Sequence, residues 1–328
     1  MGYCITFTPL MQMPLLSNLF KPATNHSGWL AVGISQSGVF FVHVQRGGLQ
    51  PRVTLCTYHP ATDVTSTLLE KLRKDARLGS YQFTTLLAPD EYQMLLVDAP
   101  NVPVNELKTA IRWRIKDMLS YHVDDATVDV LQIPSGKNVG DRPQSLYAVA
   151  ASNTTVRKCV ALFENAKIPL TVIDVPEVAQ RNIAQLFEAE GRGLALLAFD
   201  EYGALLTFTM DGELYLTRRL DISSGQLQDA NENLRHQYMD RIELEVQRSL
   251  DYFDRQFQHT PVSRLLISAP EQSDLIKILA TNLDLPVERM NLAQVMDISA
   301  IPDLARNEFV AAVLPTLGAA LRQERRAL

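Results

Sequence analysis

The sequence is poor in the residues from which most catalytic and metal sites are built. Its 328 residues hold three cysteines, Cys4, Cys56 and Cys159, far apart and with no Cys or His partner at metal-ligand spacing. That odd, scattered count argues against a disulfide framework and points to reduced thiols, read as core packing ahead of a catalytic thiol. The six histidines (His26, His43, His59, His122, His236 and His259) show no ligand spacing either. No Gly-x-Ser-x-Gly elbow and no Gly-x-x-x-x-Gly-Lys loop is present, which excludes the commonest nucleophile and phosphate-loop signatures. Long hydrophobic runs are missing too. The richest stretch, 194–210, is cut by Asp200 and Glu201, so no segment reaches the ~20 apolar residues of a membrane span. Clusters of one charge sign are scarce: the net charge is −6 with acids and bases interspersed. That argues against a nucleic-acid partner, which needs massed Lys and Arg to displace counterions. The apolar start, Met1 to Phe20, lacks the basic residues of a secretory signal. Residues 1–27 are read as a tail, either disordered or an upstream extension with the true start at Met13.

What is present is an ordinary globular composition, 46% hydrophobic and 21% charged, arranged as alternating strands and helices. Residues 29–34, 39–44 and 53–58 read as three strands joined by the turns Ser35 to Gly38 and Arg46 to Gly48. The pattern then recurs. Gly28, Gly38 and Gly47 match Gly193, Gly203 and Gly212 at one common offset, and Leu49 matches Leu214. The apolar runs 30–32 and 39–41 fall on 195–197 and 204–206 at the same offset. The implied fold is α/β, with two related lobes that each open on a three-stranded meander. Helical spacing marks 105–118, 154–166, 240–257 and a helix 308–322 with a kink at Pro315. The stripe Lys108, Arg112 and Lys116 is read as a solvated helix face or a contact for an acidic partner or anionic lipid. Arg322, Arg325 and Arg326 are likewise read as a solvated cluster. Asp124, Asp125 and Asp129 are read as a solvated turn and strand edge rather than a metal site.

A meander followed by alternating helices and strands, made twice, resembles the actin-like (RNase H-like) superfamily, in which two lobes clamp a nucleotide. That resemblance implies phosphate contacts at the first turn of each meander and a later glycine-rich turn facing adenosine. The candidate cofactor-binding residues are therefore Ser35, Ser37, Asp200, Gly203, Thr207 and Ser268. The match in chemistry is thin. The first turn carries no acid, and the second puts Glu201 and Tyr202 where close approach to an anion is wanted. The third, Ser268-Ala269-Pro270-Glu271, has no glycine. No catalytic and no metal residues are assigned, and no cofactor is expected, with ATP and Mg²⁺ as the alternative.

A closer resemblance rests on particular residues. Ala110-Ile111-Arg112-Trp113, then Lys116-Asp117 and Asp125-Ala126-Thr127-Val128-Asp129, are similar to the signature of PilM-type pilus assembly proteins. So are Ile173-Asp174-Val175-Pro176-Glu177, the run Glu245 to Phe253, and the ending Leu317 to Arg322. The likeness runs from Gly28 to Arg322 and is nearest the MshI branch, from biogenesis of the mannose-sensitive haemagglutinin (MSHA) pilus. It implies an actin-like first lobe at 28–190 with an inserted subdomain at about 94–150. A second lobe at 191–307 and a C-terminal helix at 308–328 packing back on the first lobe complete it. It also implies a cytoplasmic scaffold at the inner face of the inner membrane, held there through partners. The partners implied are the cytoplasmic N-terminus of a PilN-like inner-membrane protein and the pilus motor ATPase. Two alternatives stay open: an ATP-binding or ATP-hydrolysing actin-like protein, and a platform subunit of a type II secretion system.

Overall fold

The computed structural model describes residues 28–79, 81–134, 144–258, 260–270 and 274–323. The first meander is β1 (Trp29–Ile34), β2 (Gly38–Gln45) and β3 (Arg52–Pro60), paired antiparallel. Helix α1 (Ser66–Asp75) follows. Thr65 caps it by accepting the Leu68 N–H, and Leu69 and Leu72 are its buried face. It returns the chain to β4 (Gln82–Leu86), parallel to β1. An excursion then makes β5 (Tyr92–Asp98), α2 (Leu107–Ile115), β6 (Ala126–Gln132) and β7 (Ser145–Ser152), a separate antiparallel sheet in the order β5-β7-β6. After α3 (Asn153–Asn165), strand β8 (Leu170–Asp174) completes the first sheet, and α4 (Pro176–Ala184) leads out of it.

The second lobe repeats the plan with β9 (Gly193–Phe199), β10 (Ala204–Met210) and β11 (Glu213–Leu220), then α5 (Glu232–Gln256), β12 (Val262–Ser268), α6 (Leu275–Asn282) and β13 (Val287–Arg289). The chain ends on α7 (Asn307–Ala320). The two main sheets have the orders β3-β2-β1-β4-β8 and β11-β10-β9-β12-β13, one topology used twice. The central strands β1 and β9 read as unbroken apolar runs because helices cover both of their faces.

The repeat is faithful in the strands and differs in one hairpin. Asp211 and Gly212 both adopt positive φ (54° and 72°), and strand pairing resumes at once between Met210 and Glu213. That is the two-residue turn whose twist matches its strands. In the first lobe the corresponding link runs from Arg46 to Pro51, and pairing resumes only between Gln45 and Arg52. The Gly47–Gly212 and Leu49–Leu214 matches are therefore not structural equivalents. Leu49 stands fully in solvent on the longer loop, whereas Leu214 is buried in β11.

The inserted sheet is buried on both faces. On β7, Tyr147, Val149 and Ala151 join the core of the second lobe, while Leu146, Ala148 and Ala150 pack under Ile111 and Ile115 of α2. The basic stripe of α2 is mostly engaged. Lys108 pairs with Asp129 at 2.8 Å, and Arg112 donates to the carbonyls of Ala126 and Val123 at 2.8 and 2.7 Å. Asp129, expected in solvent, is buried beneath that lysine. Helix α5 starts two turns earlier than its apolar spacing implies. Asn231 caps it through the N–H groups of Asn233 and Leu234, and its first turns are polar.

Helix α7 lies against α4 and the first sheet, with Val313, Leu314 and Leu317 in a core shared with Ala31, Phe40, Ala179 and Leu196. The helix continues through Pro315 to Ala320. Gly318 permits the closest approach, since a Cβ there would overlap the Ala179 carbonyl. Beyond the helix, Arg322 is 4% exposed and pairs with the fully buried Asp174, its guanidinium 5.7 Å from the Trp29 ring centre. The reading of Arg322 as solvated is overturned: a guanidinium enters this core because a carboxylate and an indole face await it. Arg325 and Arg326, like the 1–27 tail, lie outside the described residues.

Cys56 and Cys159 are packed as apolar groups, and burial pushes both thiols up to about 12, aided by Asp303 and Glu91 respectively. Thiolate, the reactive form, is then about a thousandfold scarcer than for an ordinary thiol. Iodoacetamide at neutral pH is expected to leave both unmodified in the native protein and to label both in urea. Peptide mass spectrometry checks this.

Candidate ligand cleft between the lobes

The first turn of each meander is built by one device. Ser35 N–H donates to the Gly38 carbonyl at 2.9 Å, and Ser35 Oγ accepts from the N–H groups of Ser37 and Gly38 at 3.3 and 3.0 Å. In the second lobe Asp200 N–H donates to the Gly203 carbonyl at 2.9 Å, and Asp200 Oδ1 accepts from Tyr202 and Gly203 at 2.8 and 3.0 Å. A short polar side chain thus closes each turn on itself. The turns also touch. Gln36 N–H donates to Glu201 Oε1 at 2.7 Å, across a sequence separation of 165. That separation is the repeat offset itself, so equivalent turns meet face to face.

Between them opens a cleft of about 940 Å³, counting space open to solvent. Ser35 and Ser37 line one side, Asp200, Glu201 and Tyr202 the other, and Glu308, Ala311, Ala312 and Pro315 of α7 contribute further wall. Leu86, Leu87, Pro89 and Pro176 make much of the remaining surface apolar. Burial raises the Asp200 carboxyl above its ordinary value, against the pull of its turn N–H groups and of Arg219. Burial, with Glu201 alongside, pushes the Tyr202 phenol up to about 12.

The six candidate residues separate on this geometry. Ser35, Ser37 and Asp200 are on the cleft wall. Gly203 holds the turn at φ 149°, where a Cβ would overlap the Leu220 carbonyl. Thr207 is fully buried, and its Oγ1 accepts from Gln180 Nε2 at 3.0 Å beneath α4, so it is a core residue. Ser268 is buried in β12 opposite Ala198. Glu201 and Glu308 were not among the candidates. The repeat offset was the signal that could have joined Glu201 to the first turn; Glu308 had none.

Magnesium nucleotide fits these residues poorly. Phosphate binding at such turns relies on free backbone N–H groups, and those of Gln36, Ser37, Gly38, Tyr202 and Gly203 are already donated within the chain. Among the described residues lining the cleft there is no Lys, Arg or His, while Asp200, Glu201 and Glu308 are acidic. At the third turn Pro270 has no N–H, and the Ala269 carbonyl accepts from Arg289 at 2.9 Å. Among the described residues no group of three or more His, Cys, Asp or Glu is arranged to hold a metal.

Asp200→Asn keeps the Oδ1 acceptor and removes the buried charge, so its melting temperature is expected to equal or exceed that of the parent at pH 7. Asp200→Ala, which orphans two N–H groups, is expected to cost about 1–3 kcal/mol. Thermal melts of the two variants check the turn-closing role.

A second polar cluster ties the inserted sheet to both lobes. Glu177, in the first turn of α4, accepts from the Tyr92 hydroxyl and from Arg219 at 2.9 Å. Tyr92 belongs to β5 and Arg219 to β11. Tyr147 of β7 accepts from the Thr217 N–H at 3.2 Å. Burial and the Glu177 charge hold the Tyr92 phenol well above its usual range. Burial opposes the Arg219 charge, but Glu177 and Tyr92 raise its pKa overall.

Solved structures share this architecture. A chain of the PilM–PilN type IV pilus biogenesis complex superposes with a TM-score of 0.68 at 18% identity, covering 90% of this chain and 98% of that one. The fold is actin-like. The cytoplasmic domain of EpsL, an inner-membrane component of the type II secretion system of Vibrio cholerae, superposes with a TM-score of 0.50 at 14% identity, covering 91% and 97%. No protein-family model matches the chain, and no curated protein matches it. Among the described residues no helix is long and apolar enough to cross a membrane.

Proposed function

We propose that this chain is a non-hydrolysing adaptor of a type IV pilus assembly platform, of the MSHA type, at the cytoplasmic face of the inner membrane. Its partner in this reading is the cytoplasmic N-terminus of a PilN-like inner-membrane protein, with the motor ATPase as a further contact. The observation that carries the reading is the near full-length likeness to a chain of the PilM–PilN complex. The self-satisfied turns support it from the side of chemistry, because an adaptor needs the clamp-shaped frame and not its phosphate seat. A platform role in type II secretion is the second reading, favoured by the EpsL likeness.

The test is a titration of the full chain with a synthetic peptide of the PilN-like cytoplasmic tail from the same genome. Saturable binding, absent with the tail of the type II secretion counterpart, is the expected result. No binding of the pilus tail to the folded protein would sink the pilus reading, and preference for the secretion tail would establish the second.

A further inference from the structure

The cleft that fits a nucleotide poorly is still a formed cleft, and its chemistry specifies a different occupant. Its walls are mainly apolar, with Phe40, Leu86, Pro89 and Ala312 among them, and its charged lining residues are Asp200, Glu201 and Glu308. Asp200 has Arg219 nearby as a counter-charge. Glu201 accepts the Gln36 N–H on Oε1 and also meets the Tyr202 phenol, and its carboxylate keeps its negative charge on the cleft wall with lone pairs for a further donor. Glu308 is exposed on α7. A smaller recess shares Pro176, Asp200, Ala311 and Pro315 with the cleft and is lined also by Phe199 and Leu314, which extends the apolar wall. Ser224 and Gln228 add neutral hydrogen-bonding groups on the wall.

We propose that the cleft is a peptide groove for a partner segment in which one Arg or Lys is flanked by apolar residues. Charge complementarity selects the cation: carboxylates without a lining cation repel phosphates and favour a guanidinium or ammonium. The apolar walls take up the flanking side chains, and the neutral polar groups meet the backbone of an extended chain. The cleft is partly open to solvent rather than enclosed, which suits a segment of a longer chain better than a fully engulfed small molecule. The inference is independent of the pilus reading, because it rests on the cleft's own residues.

The experiment is a random-peptide phage selection on the immobilised full chain, counter-selected on Ala312→Trp, which fills the cleft from an exposed position. Far-UV circular dichroism melts confirm that the variant folds. The expected result is enrichment of sequences with Arg or Lys between apolar residues. Their affinity is expected to be lost in Ala312→Trp and weakened about tenfold or more in Glu201→Gln/Glu308→Gln. The double variant retains the Gln36 hydrogen bond through its amide oxygen. Enrichment of acidic or uncharged sequences, affinity indifferent to either variant, or no cleft-dependent peptide at all would overturn the proposal. The library contains no designed pilus sequence, so this experiment and the tail titration fail separately.

Discussion

Replacing Arg322 by methionine is expected to cost about 3–5 kcal/mol of folding stability, the usual penalty for stranding a buried charge. Asp174 is fully buried at the end of β8, with Arg322 its paired cation and the Val175 N–H a further donor at 3.0 Å. Burial already raises the Asp174 carboxyl pKa, with Arg322 pulling it back. Removing Arg322 lets the folded-state value climb further above the unfolded one. Stability tied to a raised carboxyl is present below the unfolded value and lost as pH rises through the folded value. The deficit of the variant is therefore expected to shrink on acidification. Adding Asp174→Leu is expected to restore much of the loss, because an apolar pair removes the desolvation cost altogether. Urea unfolding of the single and double variants at two pH values checks all three statements.

Glu177→Ala is expected to cost about 2–3 kcal/mol and to loosen the inserted sheet from the rest of the fold. The side chain is nearly inaccessible and accepts from two elements at once, and hydrogen bonds to charged groups are worth about 1.5–3 kcal/mol net. The lower end of the range applies to the Arg219 contact, since that side chain is 28% exposed. A double-mutant cycle with Tyr92→Phe should return a coupling of about 1 kcal/mol, because the three groups form one network. Hydrogen exchange of the β5–β7 amides would report the loosening directly. A coupling near zero would mean that the inserted sheet is held by its apolar face alone.

Much of the architecture is legible in the residues because burial writes itself into strands. Trp29 to Ile34 and Leu194 to Phe199 are apolar without alternation since both faces of each strand are covered. The repeat could be found by offset because the turns that close β1 and β9 conserve a short polar residue and a glycine. It misled where it passed beyond β2: Gly47 and Leu49 keep the register while the chain takes a longer loop. Long-range pairing was hidden. Nothing local distinguishes Arg322 from the neighbouring arginines until β8 brings a buried carboxylate beside it. Thr207 looked like a site residue from its place after a turn, but strand alternation turns it beneath α4. The cleft was half visible. Ser35 and Asp200 occupy equivalent positions, yet the contact of Glu201 with Gln36 depends on how the two lobes approach.

That contact puts a carboxylate of the chain itself on an amide of the first turn, where a phosphate would have to bind. The most direct test is calorimetric titration of the full-length protein with Mg-ATP, with thermal melts on the same samples. The expected result is no saturable heat and no shift in melting temperature at millimolar nucleotide. Saturable binding, with stabilisation approaching about 2.7 kcal/mol at 100 times the dissociation constant, would contradict it.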